Sequence, residues 1–363
     1  MSDASEKTCG TAPRDLTRPV HVGNVQVGGG APVSVQSMCT TNTADSAATL
    51  AQIRGLADAG CEIIRVAIPN ARVLDGFSQI CAESPLPVVA DIHFDHKLAI
   101  EAARRGAAAM RINPGNIGDW SRVDACIDAA GEAGIPIRIG VNAGSLDKAI
   151  AEDPALSQPE KLVSSCEAFV DHFENRGFDK IVLSAKAHDV PTTLATYRML
   201  SKRLPQYPLH VGVTEAGTLR QGTVKNACGV GILLEQGIGD TMRLSLTADP
   251  VEEVYVAWDL LSALGMRRLR PELVSCPTCG RCQVNMIAIA EEVSRRLQGI
   301  AAPISVAVMG CAVNGPGEAK DADIGMASGQ GQAMLFAKGE PIRRVPEDKM
   351  VDELFQEIQE RFL

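Results

Sequence analysis

The sequence predicts a (β/α)8 TIM-like barrel followed by a smaller α/β domain. Three observations support this fold class. From about residue 33, short β-rich segments alternate with longer segments of helical periodicity. Eight such pairs fill about 230 residues, which is the length of a (β/α)8 barrel. After Gly265 the pattern changes, because a basic segment, MRRLRPE, leads into a cluster of cysteines.

The barrel prediction depends on eight β-rich segments. They occupy residues 32–38, 61–68, 86–93, 107–114, 135–142, 179–186, 209–216 and 240–247. Segments such as HKLAIEAARRGA and TTLATYRMLSKRL lie between them and are typical of helices. A doubly wound sheet is the alternative fold, but GVGILL (229–234), the nearest phosphate-loop candidate, lacks the third glycine of a dinucleotide fingerprint.

The predicted boundary assigns residues 1–265 to the barrel and 266–363 to the second domain. The polar start of the chain predicts disorder over about the first 15 residues. In the second domain the pattern predicts a helix at NMIAIAEEVSRRLQ, a strand at ISVAVMG and a closing helix at DKMVDELFQEIQERF. A glycine-rich loop lies between that strand and the closing helix.

Composition argues against several classes of protein. A net charge of −9 and 4% aromatic residues disfavour a general nucleic-acid binder, which needs a basic face and stacking platforms. No segment approaches the roughly 18 apolar residues of a membrane span, so we expect a cytoplasmic protein. Most of the eleven cysteines stand singly in apolar segments, as small buried side chains do.

Cationic side chains interrupt or end five of the predicted strands. Active sites of (β/α)8 barrels lie at the C-terminal ends of the strands, so these residues are candidates for a binding site. Period-two alternation also places Asn113 and Ser245 beside two of them. Arginine forks suit phosphate oxygens, which predicts a phosphorylated or diphosphate substrate. The alternative is that each cation pairs with a neighbouring carboxylate inside the barrel. The five cations are Arg65, Arg111, Arg138, Lys186 and Arg243.

Two further polar groups have both a functional and a structural interpretation. In DIHFDH, Asp91 and His93 share a strand face and His96 follows, which could form a metal site. A hydrogen-bonded barrel histidine is the simpler interpretation. Glu215, at the end of the seventh strand, is a candidate acid or base, or else an ion-pair partner of one of the arginines.

The cysteine cluster predicts metal binding. CPTCG has the C-x-x-C spacing of a zinc knuckle, but no second such pair follows. Structural zinc held by four thiolates therefore stays possible, as does an iron–sulfur cluster with one non-sulfur ligand. Glu318, in the Gly-Pro-Gly loop, is a plausible ligand of that kind. The available sulfurs belong to Cys276, Cys279, Cys282 and Cys311.

Several long motifs together resemble one enzyme family. They are SCPTC and MGCAVNGPGEA in the second domain, and DIHFDH, RINPGNIG, VGVTEAG and EQGIGDTMRLSLTADPVEE in the barrel. The chain resembles the bacterial 4-hydroxy-3-methylbut-2-en-1-yl diphosphate synthases of the methylerythritol phosphate route, from about residue 18 to about residue 325. It is similar to their compact two-domain type.

The resemblance implies a four-iron four-sulfur (4Fe-4S) cluster and a reductive reaction. By position in the family motifs, the ligands would be Cys276, Cys279, Cys311 and Glu318. Cys282 falls outside that pattern. The implied reaction opens the ring of 2-C-methyl-D-erythritol 2,4-cyclodiphosphate, removes water and consumes two electrons.

The resemblance also implies roles for the barrel residues and for two partners. The five cations, with Asn142 and Ser245, would bind the phosphates, and Glu215 would donate or accept a proton. The family acts as a homodimer in which the barrel of one chain faces the cluster domain of the other. A flavodoxin or ferredoxin would supply electrons, and we expect it to dock on a basic patch unless those arginines pair with groups such as Glu272. The patch consists of Arg267, Arg268, Arg270 and Arg281.

Two other functions remain open from the residues alone. One is a non-redox barrel enzyme similar to pterin-handling synthases, with a structural zinc in the second domain. It predicts a colourless protein that is active without a reductant. The other is an iron–sulfur protein without catalytic activity, which leaves the strand-end arginines unexplained.

Overall fold

A computed structural model describes residues 12–142, 144, 146–282, 284–311, 320–329 and 331–363. The chain divides into two compact units, Met1–Leu260 and Leu261–Leu363. The first eleven residues, which fall in the segment predicted to be disordered, lie outside the described residues. A 3-10 turn at Pro13–Leu16 begins the described part of the chain, and the Arg14 N–H donates to the Gly237 carbonyl at 2.9 Å.

A short hairpin precedes the barrel. Strand β1 (Val20–Val22) pairs antiparallel with β2 (Val25–Val27). Three hairpin valines pack against residues at the N-terminal ends of barrel strands, among them Ile63, Val89 and Val182. The hairpin therefore closes that end of the barrel with apolar side chains, which leaves the opposite end for a polar site.

The first unit contains an eight-stranded parallel sheet in the order β8-β7-β6-β5-β4-β3-β10-β9. A parallel bridge between Leu183 and Leu209 joins the two ends of this order. The predicted (β/α)8 barrel is therefore confirmed, although the last two strands are shorter than the predicted segments. The strands are β3 (Ser34–Met38), β4 (Ile63–Ala67), β5 (Val88–Ile92), β6 (Ala109–Ile112), β7 (Ile137–Asn142), β8 (Ile181–Lys186), β9 (His210–Val211) and β10 (Thr241–Met242).

Helices follow the barrel strands. Several begin at an aspartate whose side chain accepts a hydrogen bond from a backbone N–H of the first turn, as Asp45, Asp95, Asp119 and Asp189 do. No helix in the described residues is long and apolar enough to span a membrane. The helices are α1 (Ser46–Asp58), α2 (Leu74–Glu83), α3 (His96–Arg104), α4 (Pro114–Ile117), α5 (Trp120–Ala133), α6 (Lys148–Ala151), α7 (Gln158–Asn175), α8 (Val190–Arg203), α9 (Leu219–Asn226), α10 (Ile232–Glu235) and α11 (Pro250–Ala263).

The second unit is built on a five-stranded sheet in the order β11-β12-β13-β14-β15. The first three strands are parallel and the last two pairings are antiparallel. Apolar residues of both helices and of the sheet form its core, including Val293, Val306 and Leu354. Both predicted helices and the strand at ISVAVMG are confirmed. The elements are β11 (Glu272–Ser275), α12 (Met286–Leu297), β12 (Ser305–Met309), β13 (Ile324–Gly329), β14 (Gln332–Ala337), β15 (Glu340–Pro346) and α13 (Met350–Phe362).

Candidate functional site

The barrel brings the five strand-end cations together. One stands on each of β4, β6, β7 and β8, and the fifth directly follows β10. The strand register places Arg111 opposite Arg138, and Asn142 opposite Lys186. The charges of the four arginines all act on Lys186, whose pKa is well below its usual value because of burial and this repulsion. The predicted cations therefore form one cluster inside the barrel, made of Arg65, Arg111, Arg138, Lys186 and Arg243, and Arg138 also lines a cavity beside the hairpin residues Val22 and Val27.

Two buried carboxylates compensate part of this charge. Asp91 accepts hydrogen bonds from Arg111 Nη1 at 3.3 Å and from His93 Nε2 at 3.1 Å. Glu253 accepts two bonds from Arg243, at 2.9 and 3.1 Å, and one from the Leu246 N–H. Pairing with carboxylates, the alternative raised from the sequence, is therefore correct for Arg111 and Arg243.

The pKa values of these carboxylates reflect opposing influences. Burial opposes ionisation of Asp91, but the charge of Arg65 and the contacts with His93 and Arg111 outweigh it and lower the pKa. Burial raises the pKa of Glu253, and the contacts with Arg243 and the Leu246 N–H act against that rise. Asp91 therefore carries a negative charge at neutral pH.

The other three cations have no carboxylate bonded to them in the described part of the chain. Arg138 is 5% exposed, and its Nε and Nη2 atoms have no hydrogen-bond partner among the described residues. Arg65 donates to the Met38 sulfur at 2.9 and 3.2 Å, and burial is the main cause of its pKa falling to about 10. Five cationic side chains and two carboxylates give a formal surplus of three positive charges, counted over the described residues. Such a cluster favours a multiply charged anion.

Two residues near the cationic side chains, His210 and Gly140, were not identified from the sequence. His210 on β9 is fully buried, and burial and neighbouring cations lower its pKa well below the usual value, so its ring is neutral. Gly140 on β7 makes room for a cation, because a Cβ there would lie 2.6 Å from Arg111 Nε. Neither position carries a charge pattern that sequence inspection could have detected.

A pocket of about 490 Å³ adjoins the cationic cluster and contains three of the predicted site residues. Asn142, Lys186 and Glu215 all line it, together with Thr214 and Gln158. Glu215 is exposed and has a left-handed backbone (φ 53°), which is rare for residues other than glycine. Its carboxylate therefore stands at the edge of a pocket that also contains the Lys186 ammonium.

The remaining polar candidates of the barrel have structural contacts. Ser245 is half-buried, and its carbonyl accepts a bond from Asn226 Nδ2 at 3.4 Å. His93 bonds to Asp91, and His96 begins α3 with its Nδ1 3.8 Å from Asp95. The described residues contain no group of three or more His, Cys, Asp or Glu side chains that could hold a metal ion. His93 therefore has the hydrogen-bonded contact that was considered from the sequence.

In the second unit, two cysteines approach the same glycine. The Gly310 N–H donates to Cys276 Sγ at 3.1 Å. A Cβ at Gly310 would lie 2.7 Å from Cys282 Sγ and 3.5 Å from Cys276 Sγ. Cys279 is exposed and Cys311 is partly buried. Glu318 lies outside the described residues.

The predicted basic patch is partly engaged in local contacts. Arg268 Nη2 lies 2.5 Å from Glu272, which is the alternative considered from the sequence. Arg270 donates to the Gln298 carbonyl. Arg281, beside the cysteines, is exposed. Docking at this patch stays a prediction.

Both parts of the chain match known protein families. Residues 17–258 match the GcpE TIM-barrel domain, and residues 272–360 match the GcpE protein C-terminal domain. A relative from Geobacter sulfurreducens, named 4-hydroxy-3-methylbut-2-en-1-yl diphosphate synthase (flavodoxin), is 54% identical over 94% of this chain and 97% of its own length. A relative of the same name from Maridesulfovibrio salexigens is 50% identical over 95% of this chain and 97% of its own length.

The barrel is also similar to a solved dihydropteroate synthase from Coxiella burnetii. That similarity has a TM-score of 0.51 at 9% identity and covers 69% of this chain and 98% of the other. At this identity it shows the fold alone, so it gives no support to a pterin-handling activity. Since matched domains cover both units and the relatives align over nearly their full length, the chain belongs to the GcpE family.

Proposed function

We propose that this chain converts 2-C-methyl-D-erythritol 2,4-cyclodiphosphate to 4-hydroxy-3-methylbut-2-en-1-yl diphosphate. The reaction takes up two electrons and two protons, opens the cyclic diphosphate and releases water. The names of the relatives support this reaction. The observation that carries the proposal is the surplus of buried positive charge inside the barrel, since a cyclic diphosphate is a compact anion.

The residues without carboxylate partners are the proposed phosphate ligands. Phosphate oxygens would accept hydrogen bonds from Arg138 Nε and Nη2, which are buried donors without a partner among the described residues. Lys186 and Arg65 would add charge from the neighbouring strands. Burial lowers the pKa values of both groups, and a bound anion would raise them again, which favours the protonated forms.

Arg111 and Arg243 would bind the phosphates of the substrate in fixed orientations. Asp91 and Glu253 already hold their guanidinium groups, so little rearrangement is needed when the anion arrives. Asn142 and Ser245, at the outer ends of β7 and of the segment after β10, would complete the binding site.

Glu215 is the proposed proton donor or acceptor. Its carboxylate borders the pocket that contains Lys186 and is open to solvent, which allows it to exchange protons. Its left-handed backbone fixes the direction in which the side chain leaves the loop.

The second unit would hold a four-iron four-sulfur cluster through Cys276, Cys279, Cys311 and Glu318. Such a cluster supplies electrons one at a time at low potential. Two observations fit this role. Thiolates are soft ligands suited to iron–sulfur clusters, and the Gly310 N–H donates to Cys276 Sγ as backbone amides do around cluster sulfurs. Cys282, also against Gly310, would be a neighbour of the cluster rather than a ligand.

The proposed partners are an electron donor and a second copy of the chain. The names of the relatives specify flavodoxin, which favours flavodoxin over ferredoxin as the donor. In the proposed homodimer the barrel of one chain faces the cluster domain of the other. We place the reaction in the cytoplasm.

The test is conversion of the cyclodiphosphate by protein purified without oxygen and supplied with reduced flavodoxin. We expect turnover that depends on the reductant. Replacing Arg138 by methionine should lower kcat/KM by about a hundredfold or more, because two buried donors disappear. Arg54→Met, at an exposed position on α1, is the control. Turnover without reductant, or full activity of Arg138→Met, would contradict the proposal.

A further inference from the structure

One arginine of the cationic cluster has a methionine as its hydrogen-bond partner. Arg65 on β4 donates to the Met38 sulfur on β3, through Nε at 3.2 Å and through Nη2 at 2.9 Å. The two residues are paired in the parallel strand register, and the Cys39 N–H donates to the Arg65 carbonyl at 3.0 Å. The backbone therefore holds the sulfur directly beside the guanidinium group.

This acceptor differs in kind from those of two neighbouring arginines. Arg111 and Arg243 donate to buried carboxylates. A thioether sulfur is neutral and is only a weak acceptor. Because it carries no charge, it fixes the direction of the Arg65 side chain without compensating the positive charge.

The sulfur contact uses only one edge of the Arg65 guanidinium group. A guanidinium presents its N–H groups as a planar fork, and the sulfur lies against the edge formed by Nε and Nη2. We call the edge formed by Nη1 and Nη2 the outer edge. An edge of this kind can bind two phosphate oxygens at once. The contact with Met38 therefore fixes the direction in which the outer edge points.

Arg65 keeps its charge although it is buried. The side chain is 8% exposed, and burial is the main cause that lowers its pKa to about 10, while the charge of Asp91 acts in the opposite direction. At neutral pH the group is still positive. An anion that reaches Arg65 therefore meets a full charge in a place that is shielded from solvent.

We propose that Met38 is a positioning residue, which directs the outer edge of Arg65 toward a phosphate group of the substrate and leaves the charge uncompensated. An arginine that can rotate freely loses that freedom when it binds an anion, and this loss weakens binding. The sulfur contact restricts the side chain beforehand. The inference rests on the anion site of the proposed function and adds how Arg65 is oriented in it.

The first test measures binding of pyrophosphate to the full chain by calorimetry. Met38→Leu keeps the volume of the side chain but removes the acceptor, so the Kd should rise about fivefold. Met38→Glu keeps an acceptor but places a negative charge beside Arg65, so the Kd should rise by about thirtyfold or more.

The control for the first test is another methionine of the barrel wall. Met110→Leu replaces a fully buried side chain on β6 and should change the Kd by less than about twofold. Equal Kd values for wild type and Met38→Leu would refute the positioning role. A smaller loss in Met38→Glu than in Met38→Leu would refute the need for a neutral acceptor.

The second test is a double-mutant cycle with Arg65→Met. If Met38 acts through Arg65, Met38→Leu should change the Kd by less than about twofold once Arg65 has been replaced. A methionine that only filled space would weaken binding by the same factor in both backgrounds. That result would overturn the inference even if Met38→Leu alone weakened binding.

The binding assay separates this inference from the proposed reaction. In turnover assays Met38→Leu should raise KM and change kcat by less than about twofold, because the contact acts on binding. Reductive turnover with an unchanged pyrophosphate Kd in Met38→Leu would refute only the positioning role. The expected losses of binding in a protein without reductive turnover would refute only the proposed activity. Failure of wild type to bind pyrophosphate would overturn both.

Discussion

Replacing Glu253 by glutamine tests whether carboxylates hold the cationic cluster in place. Glu253 is 3% exposed and accepts two hydrogen bonds from Arg243 and one from the Leu246 N–H. Glutamine keeps the shape but removes the charge, which leaves Arg243 with a single neutral acceptor. Breaking a buried ion pair costs about 3–5 kcal/mol. Because the Arg243 side chain is 19% exposed, we expect a loss of about 3 kcal/mol, at the lower end of that range.

The assay is urea denaturation followed by tryptophan fluorescence. Both tryptophans of the chain, Trp120 and Trp258, lie in the first unit, so the signal reports unfolding of the barrel. The matched control is Glu252→Gln, the adjacent carboxylate in the first turn of α11, which should cost less than about 0.5 kcal/mol. A loss below about 1 kcal/mol for Glu253→Gln, or equal losses for both variants, would refute the role assigned to this carboxylate.

Three further changes probe the same unit. Gly140→Ala places a Cβ 2.6 Å from Arg111 Nε, so calorimetry should show pyrophosphate binding weakened by about tenfold, while Gly55→Ala, with no atom within 4 Å, should leave it unchanged. Burial and the neighbouring cations lower the pKa of Lys186, so wild-type affinity for pyrophosphate should fall as pH rises through that pKa, and Lys186→Met should lose this part of the pH dependence. Identical pH profiles of the two proteins would contradict this. Burial raises the pKa of Asp240 to about 6, above its value in the unfolded chain, so its contribution to stability is full at low pH and falls as pH rises through about 4 to 6. The free energy of unfolding of wild type relative to Asp240→Asn should therefore drop by about 2 kcal/mol between pH 4 and pH 7 in urea titrations, and a constant difference would contradict the assignment.

The barrel and its cations could be predicted because both follow from the periodicity of strand and helix residues in the sequence. Alternating strands and helical segments fix the barrel, and strand alternation places Arg111 and Arg243 toward its interior. The partners of these cations could not be predicted in the same way. Glu253 belongs to the first turn of α11 and meets Arg243 only because the chain turns back onto the barrel. Gly140 acts by leaving space, which no sequence pattern shows.

Several of the strands that sequence inspection missed have weak strand signals. The hairpin β1–β2 consists of two three-residue strands, although VHV and VQV alternate around a Gly-Asn turn that could have indicated it. Strand β13 reads IGMASG, where glycine and alanine replace the β-branched residues typical of strands. Strand β15 reads EPIRRVP, and its prolines and charges suit only the edge of a sheet.

Iron content and visible absorbance of protein purified without oxygen are the most direct measurement of the proposed cofactor. We expect about four irons per chain and a brown chromophore, both lost in Cys276→Ser and Glu318→Ala and kept in Cys81→Ser. Loss in the first two variants alone would establish that the second unit holds the cluster. One zinc per chain and no colour would contradict the reductive function, and the cysteines would then have a structural role only.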